Sequence, residues 1–176
     1  AYLTLQLSYS AFLKHKMLLD AIAIATGFVL RAAGGALAID VPISPWLVVC
    51  TFTLCLFMGF CKRRNEIADL GEGEAAGNHR RTLHGYTPEL ITRLMIISGA
   101  AAILCFVLYA VSPRTVAHFG SRGLLYTLPL VAYGVYRFAC LSTRAAYDGP
   151  TDLVLHDRPF QLTVALWLAG ALLVVL

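Results

Sequence analysis

Five apolar stretches, each close to the length needed to cross a bilayer, constrain this sequence more than any other feature. About 20 residues of helix span the hydrocarbon core. The stretches run from about Met17 to Ile39, Ser44 to Cys61, Leu90 to Val111, Arg122 to Leu141 and Pro159 to Leu176. A sixth, Ala1 to Leu13, is shorter and reads as the tail end of a further helix. It is a poor secretory leader, because Lys14 and Lys16 follow the apolar residues instead of preceding them. None of the stretches alternates in the manner of a barrel strand. The expected fold is therefore an all-α, polytopic transmembrane helix bundle, with five full spans and a partial one. Composition agrees: 59% of the 176 residues are apolar and 14% charged, against about 45–50% and 25% in ordinary soluble domains. That excludes disorder and leaves a soluble domain with more apolar surface than it can bury.

The basic residues orient the bundle. Lys14, Lys16, Lys62, Arg63, Arg64, Arg80, Arg81, Arg144 and Arg158 fall in loops of one side, and only Arg114 and Arg122 on the other. By the positive-inside rule the richer side is expected to be cytoplasmic, in an inner membrane. The net charge of +4 is thus a matter of topology and lipid headgroups, and no nucleic-acid-binding pattern is present. The five cysteines lie in or at the ends of apolar runs without metal or redox spacing, and read as small buried hydrophobes. No nucleophile elbow, H-E-x-x-H or phosphate-binding P-loop occurs.

Polar clusters gather on the basic side: Lys14-His15-Lys16 with Asp20, Lys62 to Glu66 with Asp69, Asn78 to Arg81, and Asp148, Asp152, Asp157 and Arg158. Each alone is explained by topology and solvation. Together they form a mouth of mixed charge that suits a phosphate-bearing ligand, since Lys and Arg bind phosphate oxygens and carboxylates hold Mg²⁺. If the second span continues as a helix through Lys62, then Lys62 and Glu66 share a face, as an ion pair or as a phosphate clamp beside a metal-linked carboxylate. Arg31 and Arg137 fall within spans, where a charge faces a partner, a cavity or the interface. Asp20 and Arg31 share a helical face about 16 Å apart along the axis, a face expected to look into the bundle. Gly27, Gly34 and Gly35 suit close helix approach. Tyr109, Tyr126, Tyr133 and Tyr136 read as interfacial belt or core.

An ordered set of short pieces resembles the UbiA-type prenyltransferase superfamily, and within it the decaprenyl-phosphate phosphoribosyltransferase branch. The pieces are Tyr9-Ser10 with Leu13-Lys14-His15, Gly27 to Ala32 with Gly34-Gly35, Ile43-Ser44-Pro45-Trp46, and Lys62-Arg63-Arg64 with Glu66. His79-Arg80, Tyr86-Thr87-Pro88, Gly149 to Asp152 and Asp157-Arg158-Pro159 complete it. The resemblance implies a nine-helix membrane bundle of which this chain is the carboxy-terminal part, a single domain over 1–176 that is incomplete at its amino terminus. The family's first motif, N-D-x-x-D-x-x-x-D, has no counterpart here. Its second, usually acidic, corresponds to Lys62 to Asp69, and the basic replacement matches the phosphoribosyl branch.

The implied activity is transfer of a 5-phosphoribosyl group from phosphoribosyl pyrophosphate to a polyprenyl (decaprenyl) phosphate, with Mg²⁺, in cell-wall arabinan precursor synthesis. On this basis Lys62 and Arg63 are expected at the pyrophosphate, and Glu66 at Mg²⁺ or the ribose hydroxyls with Asp69 as a second metal ligand. Lys14 and Arg81 are expected at the lipid phosphate, and Tyr86, Asp157 and Arg158 elsewhere in the substrate site. Two other readings stay open: prenyl transfer to an aromatic or lipid acceptor, and a non-catalytic membrane fragment or subunit. Oligomeric state is also open.

Overall fold

The computed structural model describes residues 18–40, 43–70, 87–143 and 150–175. Among these, every element is helical: α1 (Leu19–Ala38), α2 (Pro45–Leu70), α3 (Pro88–Val111), α4 (Pro113–Phe119), a 3₁₀ segment (Gly123–Thr127), α5 (Leu128–Thr143), α6 (Pro150–His156) and α7 (Arg158–Val175). Four segments are long and apolar enough to cross a membrane: α1, Pro45–Ile67 of α2, α3, and Gly123–Thr143. The protein is an integral membrane protein with an all-α bundle. The fifth expected stretch is the apolar helix α7, Arg158–Val175, which matches the expected bounds to within one residue. The partial stretch Ala1 to Leu13 lies outside the described residues.

Helix boundaries follow local chemistry. Thr87 caps α3, its Oγ1 accepting from the Leu90 amide at 3.1 Å, with Pro88 in the first position and Glu89 in the first turn. Ser112 ends α3 and caps α4 through the Thr115 amide. The expected span from Arg122 is split. Pro129 has no N–H to give residue 125, so the chain runs as a 3₁₀ segment up to Thr127 and becomes α-helical from Leu128. Helix α2 continues past Cys61, as expected for the first polar turn, and runs through the whole polar segment to Leu70.

The helices pack in an antiparallel series: α1 on α2, α2 on α3, α3 and α2 on α5, and α5 on α7. Their core is a cluster around Phe57, Phe60, Cys61, Ile91, Met95, Val135 and Phe138. At its centre Gly99 lets α3 approach both neighbours. A Cβ there would lie 3.1 Å from Phe57 Cδ2 and 3.3 Å from Val135 Cγ1. Gly99→Leu is therefore expected to destabilise the bundle by about 1–3 kcal/mol through overpacking, measured as a lowered unfolding midpoint in detergent. Outside the core, large apolar side chains face outward, such as Ile97 (65% exposed) and Leu173 (78%). Lipid is the natural neighbour for such a surface.

Two expectations about α1 need correction. Asp20 is buried as expected, but Arg31 is exposed, its guanidinium lying over the Phe28 ring at 5.1 Å from the centroid. The two share a face, but the helix buries only its Asp20, Ala21, Ala23 and Ala25 end, and Arg31 lies beyond the packed turns. A Cβ on Gly34 or Gly35 would meet no described atom within 4 Å, and the close approach falls instead at Gly59, where a Cβ would lie 3.6 Å from the Ala21 Cβ.

Candidate functional site at the basic end of the bundle

Helices α1, α3 and α7 begin, and α2 and α5 end, at the same end of the bundle, which is the one rich in Lys and Arg. The last turns of α2 carry three consecutive cations in three directions. Lys62 is exposed. Arg63 turns inward to α1, with Nε 2.8 Å from Asp20 Oδ2, and Nη1 on Glu66 Oε2 of its own helix. Arg64 reaches α3, donating from Nε to Thr92 Oγ1 at 3.2 Å. Successive residues on a helix are about 100° apart, so a run of three bases cannot act as one patch. The expected Lys62–Glu66 pairing is replaced by Arg63–Glu66.

The Asp20–Arg63 pair is deeply buried, with side chains 1% and 5% exposed, while Glu66 is 25% exposed. This gives a chain of charges, carboxylate to guanidinium to carboxylate, whose outer end is Glu66. A guanidinium so enclosed by two carboxylates is a structural cation. Of the two residues expected at a pyrophosphate, only Lys62 is presented outward.

A second ion pair ties α5 to α7. Arg137 Nε and Nη2 lie 2.6 and 2.8 Å from Asp157 Oδ2 and Oδ1, a bidentate fork. Arg137 Nη1 also donates to the Tyr133 hydroxyl at 3.3 Å. The same Asp157 caps α7, accepting from the Phe160 amide at 2.8 Å. Asp157 is thus engaged in holding two helices together, and Arg137, within the fourth apolar span, has a protein partner. Arg158, beside it, is exposed. Asp69 falls on the last turn of α2. Lys14, Arg81 and Tyr86 lie outside the described residues.

Between α2, α3, α5 and α7 runs a cavity of about 420 Å³, lined almost wholly by apolar side chains, among them Leu54, Phe57, Phe106, Val131, Phe138, Phe160 and Trp167. Phe138 stacks obliquely on Phe57 and on Phe160, with ring centroids 5.7 and 5.9 Å apart. Both Phe138 and Phe160 adjoin the Arg137–Asp157 pair in sequence or by hydrogen bond, so one end of the groove reaches the polar end of the bundle. Nothing in the sequence pattern singled out this groove, since its walls are ordinary core residues. Among the described residues no three His, Cys, Asp or Glu side chains gather to hold a metal ion. Glu66, the described carboxylate expected to do so, faces Arg63. The described donors alone do not fit the Mg²⁺ that the resemblance implies.

No protein-family model matches the chain. Curated proteins do. A decaprenyl-phosphate phosphoribosyltransferase of Mycobacterium tuberculosis is 28% identical over 170 residues, 96% of this chain and 54% of that protein. The chain resembles the decaprenyl-phosphate phosphoribosyltransferases. Proteins of that name from Mycolicibacterium smegmatis (27% over 173 residues) and Corynebacterium glutamicum (26% over 168 residues) match 95% and 94% of the chain. The similarity bears out the branch read from the residues between Tyr9 and Pro159. The chain spans about half the length of these relatives, 54% and 49% for the last two.

Proposed function

We propose that the chain forms part of a membrane transferase that moves a 5-phosphoribosyl group from phosphoribosyl pyrophosphate to a polyprenyl phosphate, on the cytoplasmic side of an inner membrane. The observation that carries this reading is the pairing of a charged bundle end with an apolar groove that reaches it, in a chain similar along nearly its whole length to proteins named for that reaction. A polyprenyl phosphate has the same two parts: a charged head for the basic end and a long apolar tail for the groove.

In this reading Lys62 holds the pyrophosphate of the donor, and Glu66 accepts from a ribose hydroxyl. An oxygen of the lipid phosphate attacks the anomeric carbon. The bond from that carbon to the pyrophosphate oxygen breaks, and its electron pair leaves with pyrophosphate. Positive charge grows at the ribose and negative charge at the leaving group, so a cation fixed beside the leaving group lowers the barrier. Lys14, Arg81 and Tyr86 remain the proposed contacts for the lipid head, with Arg158 at the rim. The product would serve as a precursor of cell-wall arabinan.

The groove gives the reading a selective test. Gly134 lines it, and a Cβ there would meet only Phe160 and Thr163 atoms, each 4.0 Å away. Gly134→Leu fits the helix but fills the groove. It is expected to raise KM for polyprenyl phosphate by about tenfold, with KM for phosphoribosyl pyrophosphate unchanged. Equal KM values for the lipid in both proteins would remove the groove from the substrate site.

A further inference from the structure

The Asp20–Arg63 pair does more than the packing of α1 on α2 requires. Two apolar residues would seal that junction without the desolvation that two buried charges incur. The pair's neighbours show what it accomplishes. Arg63 sits between Lys62 and Glu66 in the same turn and a half of α2. Its Nε is fixed by Asp20 and its Nη1 holds the Glu66 carboxylate. About 100° further round the helix, Arg64 is held by Thr92 of α3. The end of α2 is thereby pinned from two directions, which sets its rotation and leaves Lys62 outward.

Charge balance points the same way. Asp20 and Glu66 share one guanidinium, so Arg63 does not present a full positive charge to a ligand. We propose that Asp20 is a positioning residue: through Arg63 it fixes the orientation of Lys62 and Glu66 at the site for a diphosphate-bearing ligand. The proposal rests on the reading of the basic end as the donor site. It differs from a direct role for Arg63 in the sign of one effect. If Arg63 itself bound phosphate, Asp20 would compete with the ligand, and removing its charge would tighten binding.

The experiment uses the protein expressed from its own gene, purified in detergent, with inorganic pyrophosphate as the probe and calorimetry and thermal unfolding as readouts. Asp20→Asn, which keeps the shape, is expected to weaken pyrophosphate binding about tenfold. Asp20→Glu should recover much of it. The double variant Asp20→Leu with Arg63→Met replaces the buried pair by apolar side chains, a change often neutral for stability. It is expected to unfold at the wild-type temperature and still bind pyrophosphate at least tenfold more weakly. Unchanged or tighter binding by Asp20→Asn overturns the proposal. So does wild-type affinity in the double variant, which would make the pair a strut and nothing more, and so does a wild-type protein that binds no pyrophosphate. Failure of the phosphoribosyl reading shows separately, as pyrophosphate affinities that sort as expected in a protein whose membranes transfer no phosphoribosyl group to lipid.

Discussion

Asp157→Ala is expected to destabilise the protein by about 3 kcal/mol, the low end for removing one partner of a buried ion pair. Three contacts go at once. Arg137 loses its bidentate partner, with Nε and Nη2 left unpaired in an apolar span. The Phe160 amide loses its cap. The Phe138–Phe160 contact, whose rings stand 5.9 Å apart, loses the tether that holds α7 to α5. Arg137 is 28% exposed, so part of the penalty is relieved by solvent or headgroups. Asp157→Asn keeps one oxygen to accept from the Phe160 amide but loses the charge and one arm of the fork, and is expected to fall between wild type and alanine. Thermal unfolding in detergent measures both. An alanine variant that unfolds with the wild type would show that Arg137 finds water at no cost and that the fork is incidental.

Lys62→Ala is expected to lower kcat/KM for phosphoribosyl pyrophosphate by about 10–100-fold, the range for losing a charged hydrogen bond to a phosphate, with stability unchanged. Of the three consecutive bases, Arg63 is committed to Asp20 and Glu66, and Arg64 to Thr92, while Lys62 is exposed. Arg93 is the control at the same end of the bundle. It is exposed and pairs with Glu89 one turn away on α3, and such surface pairs contribute little. Arg93→Ala should leave kcat/KM and unfolding within error. Steady-state rates over a donor titration decide the matter. A Lys62→Ala protein as active as wild type would remove the lysine from the donor site.

The spans were legible because their cause is one-dimensional. A run of apolar residues of bilayer length is visible in the sequence, and Ser112-Pro113 marks the end of α3 by its chemistry. The end of α2 was legible in part. The first turn after Cys61 reads as a continuing helix, but the buried contact of Arg63 with Asp20, 43 positions away, does not show in the sequence. Asp20 itself was visible as a charge at the edge of a span, where an acidic residue asks for a basic partner, but the partner's identity is a tertiary fact. The same holds for Arg137, whose partner Asp157 caps α7, 20 positions further on. The apolar groove left no signal at all, since the residues that line a cavity are the same types that fill a core. The family resemblance supplied the chemistry, and the structure divided the basic residues among separate tasks.

Membranes carrying the protein from its own gene, and matched membranes without it, are supplied with polyprenyl phosphate and phosphoribosyl pyrophosphate labelled in the ribose. A parallel pair receives labelled prenyl diphosphate with an aromatic acceptor. The account predicts gene-dependent label in a phosphoribosylated polyprenyl lipid, with none in a prenylated aromatic product. Label in the prenylated product alone, or no gene-dependent label in either, would contradict it.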